Sequence, residues 1–270
     1  MSMLEKLADS LKSGKKVSLK HSLLIASGIE DTWQGNSYFE KFYRIYDRFS
    51  SFAKARYGSN ADIVKRAMAL SEYLTSPVNY QDNKILFNEV IDARLSMNSL
   101  VGHGNCVGLT SLYNSLAEED GIITGLVRAR DHVLTRVIVG KSEYFIENTS
   151  ANGFGVKIEY PARRSPNHDL ISEILMMRPF IGRREAIVAI DLAKALSPEM
   201  SLVYFNSASY LFSQKMNNEA MEDLDKAIET DPSNPSFYKA RSYARKALGD
   251  LRGWKEDFRK YNELRNLKIL

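Results

Sequence analysis

Cysteine is nearly absent: Cys106 is the only one in 270 residues, so no internal disulfide can form. That excludes a small disulfide-stapled secreted scaffold and fits a reducing, cytoplasmic compartment. Long apolar runs are missing too. None approaches the roughly 18–20 residues of a membrane helix, so no membrane partner is expected. Residues 22–28 are too short for the apolar stretch of a signal peptide and are followed at once by acidic residues. Charge of one sign is also lacking. Lys and Arg number 37 against 33 Asp and Glu, a formal +4, which gives no footing for nucleic-acid binding. One cysteine and four scattered histidines offer no ligand spacing, so neither a metal nor another cofactor is expected.

The rest of the composition is ordinary for a globular chain, with 44% apolar and 26% charged residues. The length suits one large domain or two modest ones. Residues 1–95 read as mainly helical. Apolar residues recur at spacings of three and four over 36–56 and 61–74, and residues 83–94 make another short helix. From Cys106 the pattern is again helical, because Leu109, Leu112, Tyr113 and Leu116 share one helix face. Gly121 is placed to end that helix. The period then changes. "IITGLVRA", "HVLTRVIVG" and "SEYFIENTS" are rich in β-branched and aromatic residues and read as three strands. Gly140-Lys141 suits a tight hairpin with glycine first.

"YPARRSPN" carries two prolines and two arginines, and residues 161–167 read as a linker. Residues 168–270 return to helix and repeat themselves. Pro198 and Pro232 are 34 residues apart, as are Ala186 and Ala220, and Ala193 and Ala227. Trp254 and Tyr261 stand one further step along those two series. The unit over 201–234 closely resembles the tetratricopeptide repeat, a helix pair with small residues where the helices approach.

The position of the lone thiol is specific. Cys106 follows a glycine-rich turn, with Gly104 and Asn105 just before it, and opens a helix. The positive end of a helix favours a thiolate, and the backbone N–H groups there can face the oxygen of an attacked carbonyl. A base is also needed. His21 lies in the helical N-terminal region, His168 follows the linker, and His103 shares the cysteine turn. His132 starts a strand, a rigid place from which to aim an imidazole. The orienting acceptor comes from the next strand, as Glu147 or Asn148, whose side chains point to opposite faces. A two-residue hairpin loop pairs Val139 with Ser142 and puts Glu147 on the His132 face. A three-residue loop puts Asn148 there. The Gly-X signal favours Glu147.

"GNCVGLTSLYNSLAEEDGI", "DHVLTRV" and "YFIENTSANGFG" together resemble the transglutaminase-like cysteine-protease superfamily. The resemblance is to small bacterial members that join this domain to tetratricopeptide repeats. It covers roughly residues 60–160 and the repeats. It implies an α+β fold for residues 1–160, with the nucleophile helix packed on a small antiparallel sheet over 96–160, as in papain-like enzymes. It also implies acyl transfer through a thioester, with Cys106 as nucleophile, His132 as base and Glu147, or else Asn148, as orienting group.

Two functions follow as expectations. One is a thiol-dependent enzyme acting on a peptide or protein substrate. The other is a non-catalytic scaffold that binds a protein partner on the repeats. Residues 235–268 hold ten Lys or Arg against four Asp or Glu. Lys239, Tyr243 and Lys246 follow one helix face there and are the candidate partner-binding residues.

Overall fold

The structure is a computed structural model that describes residues 1–29, 32–75, 78–80, 86–95, 102–129, 132–150, 152–158, 162–178 and 182–267. The chain forms two compact units, Met1–Ala189 and Ile190–Leu270.

The first unit is α+β. Helices α1 (Met3–Lys12), α2 (Leu19–Ala26), α3 (Thr32–Tyr57) and α4 (Ile63–Thr75) lead into a short parallel pair, β1 (Val78–Tyr80) and β2 (Gly102–Gly104), with α5 (Phe87–Leu95) between them. Residues 83–85 of the expected 83–94 helix lie outside the described residues. Then come α6 (Cys106–Glu119), β3 (Ile123–Ala129), β4 (His132–Val139), β5 (Ser142–Ile146), β6 (Arg163–Ser165) and α7 (His168–Met177). The four later strands make one antiparallel sheet in the order β5-β4-β3-β6.

Helix α6 is the centre of this unit. Every residue from Val107 to Ala117 is buried, as suits a helix that is enclosed rather than half-solvated. It packs against α2, α4, α5, α7, β3 and β4. The fully buried Tyr113 donates its hydroxyl to the Ala67 carbonyl of α4 at 2.9 Å. Helix α3 contributes Phe42, Ile45 and Phe49, all fully buried. Their spacing is the helical stripe expected from the sequence.

The hairpin has the short loop. Val139 pairs with Ser142, and the ladder runs on to Thr135 opposite Ile146. Gly140 has φ +60°, which glycine adopts without penalty and which the first position of a glycine-led hairpin turn requires.

The stretch expected to be a linker contributes a strand instead. Arg163–Ser165 pairs with β3, Ser165 opposite Leu126. Its two arginines are exposed, as befits a short charged sheet edge, which looks in sequence like a solvated connection. Helix α7 then packs on α2 and α6. It therefore belongs to the first unit, and the boundary falls inside α8 (Arg183–Leu196) instead of at 161–167.

The second unit continues with α9 (Ser201–Ser213), α10 (Asn217–Thr230), α11 (Pro235–Ala247) and α12 (Leu251–Leu267). The period seen in the sequence recurs in three dimensions. Helices α8, α10 and α12 begin at intervals of 34 residues, and α9 and α11 are offset by the same interval. Tyr204 donates to the Pro198 carbonyl and Tyr238 to the Pro232 carbonyl, both at 3.1 Å. Lys215 and Gly249 occupy the same place in successive turns, and both have positive φ, +60° and +84°. Ala220 and Ala227 are fully buried, whereas Trp254 and Tyr261 at the equivalent places are half-buried.

Candidate active site

Asn105 sets the start of α6. Its side-chain carbonyl accepts from the Gly108 N–H at 2.8 Å, and its backbone carbonyl takes the first helical bond from Leu109 at 3.0 Å. The cap leaves the N–H groups of Cys106 and Val107 outside the helical ladder, as at any helix N-terminus. Cys106 is the first residue of α6, half-buried and free of any disulfide. Gly104, the last residue of β2, pairs with Tyr80. The Asn105 side-chain amide lies 4.0 Å from the Met177 sulfur, so the end of α7 flanks the cysteine turn.

His132, the first residue of β4, lies near enough to the Cys106 side chain to interact with it, and its Nε2 hydrogen-bonds to Glu147 Oε2 at 2.5 Å. The interactions with Cys106 and Glu147 together outweigh the burial that opposes charge. The imidazole pKa is pushed up to about 10. Burial alone would raise the Glu147 carboxyl pKa. Hydrogen bonds from His132 and Thr149 overcome it and hold the pKa below the usual carboxylate range. Cys106, His132 and Glu147 are thus brought together at one place.

Asn148 turns the other way. It is buried, and its side-chain amide donates to Thr110 Oγ1 at 3.0 Å and Thr135 Oγ1 at 2.8 Å. Thr135 in turn donates to Asn114 Oδ1 at 2.6 Å, and Asn114 donates to Asn167 Oδ1 at 2.9 Å. Asn167 reaches Thr124 Oγ1 at 2.9 Å. This neutral polar seam fastens α6 to the sheet from beneath, and it was not anticipated from the sequence. Its signal was the polar pair Thr110 and Asn114, four residues apart on a helix otherwise rich in apolar residues.

A tight loop fixes Glu147 as it leaves β5. Its N–H donates to the Gly153 carbonyl at 2.8 Å, and its own carbonyl accepts from the Ser150 N–H at 3.2 Å. Gly153 approaches so closely that a Cβ there would lie 1.9 Å from the Glu147 carbonyl oxygen. The backbone N–H and hydroxyl of Thr149 both donate to Glu147 Oε1, at 3.0 and 2.5 Å.

Lys239, Tyr243 and Lys246 are exposed on α11 in the second unit. The Lys239 ammonium lies 5.6 Å from the Tyr261 ring centroid, and that of Lys246 4.9 Å from Trp254, both rings on α12. Tyr243 instead lines an apolar groove of about 270 Å³ with Phe212, Leu224, Ala247 and Leu248. Among the described residues no cluster of His, Cys, Asp and Glu is arranged to hold a metal ion, and no helix is long and apolar enough to cross a membrane.

No family model and no curated protein matches the chain. Among solved structures it is similar to menin, whose crystal structure is described as revealing the binding site for Mixed Lineage Leukemia (MLL) protein. The TM-score is 0.67 at 10% identity, over 98% of this chain and 70% of the menin chain. At that identity the likeness concerns the fold alone.

Proposed function

We propose that the first unit is a transglutaminase-like cysteine hydrolase or acyltransferase, and that the 34-residue helix pairs are tetratricopeptide repeats that bring it a protein substrate or partner. The observation that carries this reading is His132, hydrogen-bonded to a carboxylate while it interacts with the only thiol. With its pKa near 10, the imidazole holds its proton at neutral pH. The reactive form of the pair sets this imidazolium beside the Cys106 thiolate as nucleophile.

The thiolate attacks the carbonyl carbon of a peptide or isopeptide, and the S–C bond forms as the C=O electron pair moves onto oxygen. The N–H groups of Cys106 and Val107 at the turn set by Gly104 and Asn105 receive that oxyanion. On collapse the C–N bond breaks, and His132 gives its proton to the leaving amine. A water or a second amine then loses a proton to His132 and cleaves the thioester. Glu147 keeps the ring aimed throughout.

The test is alkylation of Cys106 by iodoacetamide across pH, in the wild type and in His132→Ala. The expected result is fast reaction of the wild type at neutral pH and slow reaction of the variant. A wild-type rate equal to that of a cysteine in a model peptide at every pH defeats the reading.

The apolar groove beside Tyr243 favours a second reading, a binding scaffold without catalysis. Menin is similar in fold, and its structure is described by a protein-binding site. An acidic peptide with an apolar anchor suits helix α11, which gives Tyr243 to this groove and also exposes Lys239 and Lys246. Charge reversal at both lysines of the full chain is expected to abolish salt-sensitive capture of such a peptide. Undiminished capture excludes this site.

A further inference from the structure

We infer that Thr149 is a positioning residue for the Cys106–His132–Glu147 array, latching one carboxylate oxygen of Glu147 so that the other stays on the imidazole. The inference rests on the reading that Glu147 orients His132.

The strand alone does not place this carboxylate. The last β4–β5 pair is Thr135 with Ile146, so Glu147 stands just beyond the ladder. Its side chain has three rotatable bonds, and from this position it must reach the first residue of β4. Backbone bonds to Gly153 and Ser150 fix its Cα, and they leave the side chain free. Thr149 removes that freedom. Its N–H and hydroxyl converge on Oε1, while Oε2 meets His132 Nε2. Rotating the carboxylate off the ring would break two further bonds to an ionised acceptor, and such bonds are the stronger kind. Threonine suits the task because branching at Cβ stiffens χ1, so the hydroxyl is aimed before the bond forms. The hydroxyl is half-buried and its acceptor is the carboxylate. The hydrogen bonds of Thr149 go to Glu147, so its part is to hold that carboxylate.

The experiment compares Thr149→Val, Thr149→Ser and Thr149→Ala in the full chain. The ring resonances of labelled histidine are titrated by NMR, and His132 is identified by its absence from His132→Ala. In Thr149→Val the His132 midpoint is expected to fall by about one pH unit or more, because a loosened carboxylate stabilises the imidazolium less. Cys106 alkylation at neutral pH is expected to slow several-fold. Thr149→Ser should restore both, and Thr149→Ala serves if the valine variant does not fold. A valine or alanine variant that titrates like the wild type overturns the inference. So does a serine variant as displaced as valine, since the methyl group and not the hydroxyl would then matter. If wild-type His132 itself titrates near the ordinary histidine value, the inference and the catalytic reading both fail. A wild type with a raised His132 midpoint and an unmoved Thr149→Val removes this inference alone.

Discussion

Glu147 and Asn148 are consecutive and serve different partners: one carboxylate oxygen meets His132 at 2.5 Å, while the neighbouring amide donates to Thr110 and Thr135. Both residues lie past the last β4–β5 pair, Thr135 with Ile146. The choice left open between these two residues is a choice of hairpin length, and Val139 opposite Ser142 places Glu147 beside the histidine.

The two residues should therefore fail differently. Asn148→Ala leaves two buried hydroxyls short of a donor and is expected to cost about 1–3 kcal/mol of folding stability. Its Cys106 alkylation profile should stay close to that of the wild type. Glu147→Gln should do the reverse, with slower alkylation and a smaller change in stability. Urea unfolding and alkylation kinetics on both variants separate the two roles.

His132 should also couple stability to pH. Its folded pKa is raised, so the stability it contributes is full below its unfolded value of about 6.5 and is lost as pH rises through about 10. The Glu147 pKa is lowered, so its contribution is present above the ordinary carboxylate value and is lost in acid as pH falls through the folded pKa. Between neutrality and pH 10, unfolding free energy should decline more steeply in the wild type than in His132→Ala. Parallel curves for the two proteins would contradict this assignment.

Gly153→Ala tests the loop that carries Glu147. The new methyl would sit 1.9 Å from a backbone carbonyl oxygen, so the backbone itself must shift. A cost of about 1–3 kcal/mol is expected, as for other overpacked sites. The shift should also detach the carboxylate from His132, lowering that histidine's NMR midpoint. An unchanged midpoint would show that the loop and the carboxylate are not linked.

The helical repeats offer a matched pair of substitutions. Lys215 holds φ +60° where its counterpart Gly249 holds +84°. A left-handed conformation costs an ordinary L-residue roughly 1–2 kcal/mol, partly offset by the extra unfolded-state entropy of glycine. Lys215→Gly should thus stabilise the protein by up to about 1 kcal/mol. Gly249→Ala should destabilise it by about 1 kcal/mol, although nothing lies within 4 Å to obstruct the new methyl. Denaturant titration of both variants checks the sign of each.

Local signals were legible where one residue type forces one conformation. Gly140 announced the hairpin, and the hairpin brought Glu147 to His132. The 34-residue period was legible because Pro232, Ala220 and Ala227 each answer a steric demand already met 34 residues earlier by Pro198, Ala186 and Ala193. Arg163 and Arg164 misled because a charged sheet edge and a solvated linker need the same residues. The seam of Thr110, Asn114, Thr135 and Asn148 was illegible for another reason. A polar pair on a helix ordinarily marks the wet side, and only the assembled core shows that α6 has none.

Since α6 is enclosed from Val107 to Ala117, its body has no surface left on which natural variation could accumulate cheaply. Any change in the setting of the Cys106 thiol must come from the turns around the helix tip. Descendants of this sequence should diversify there, while the rod behind the sulfur stays as it is.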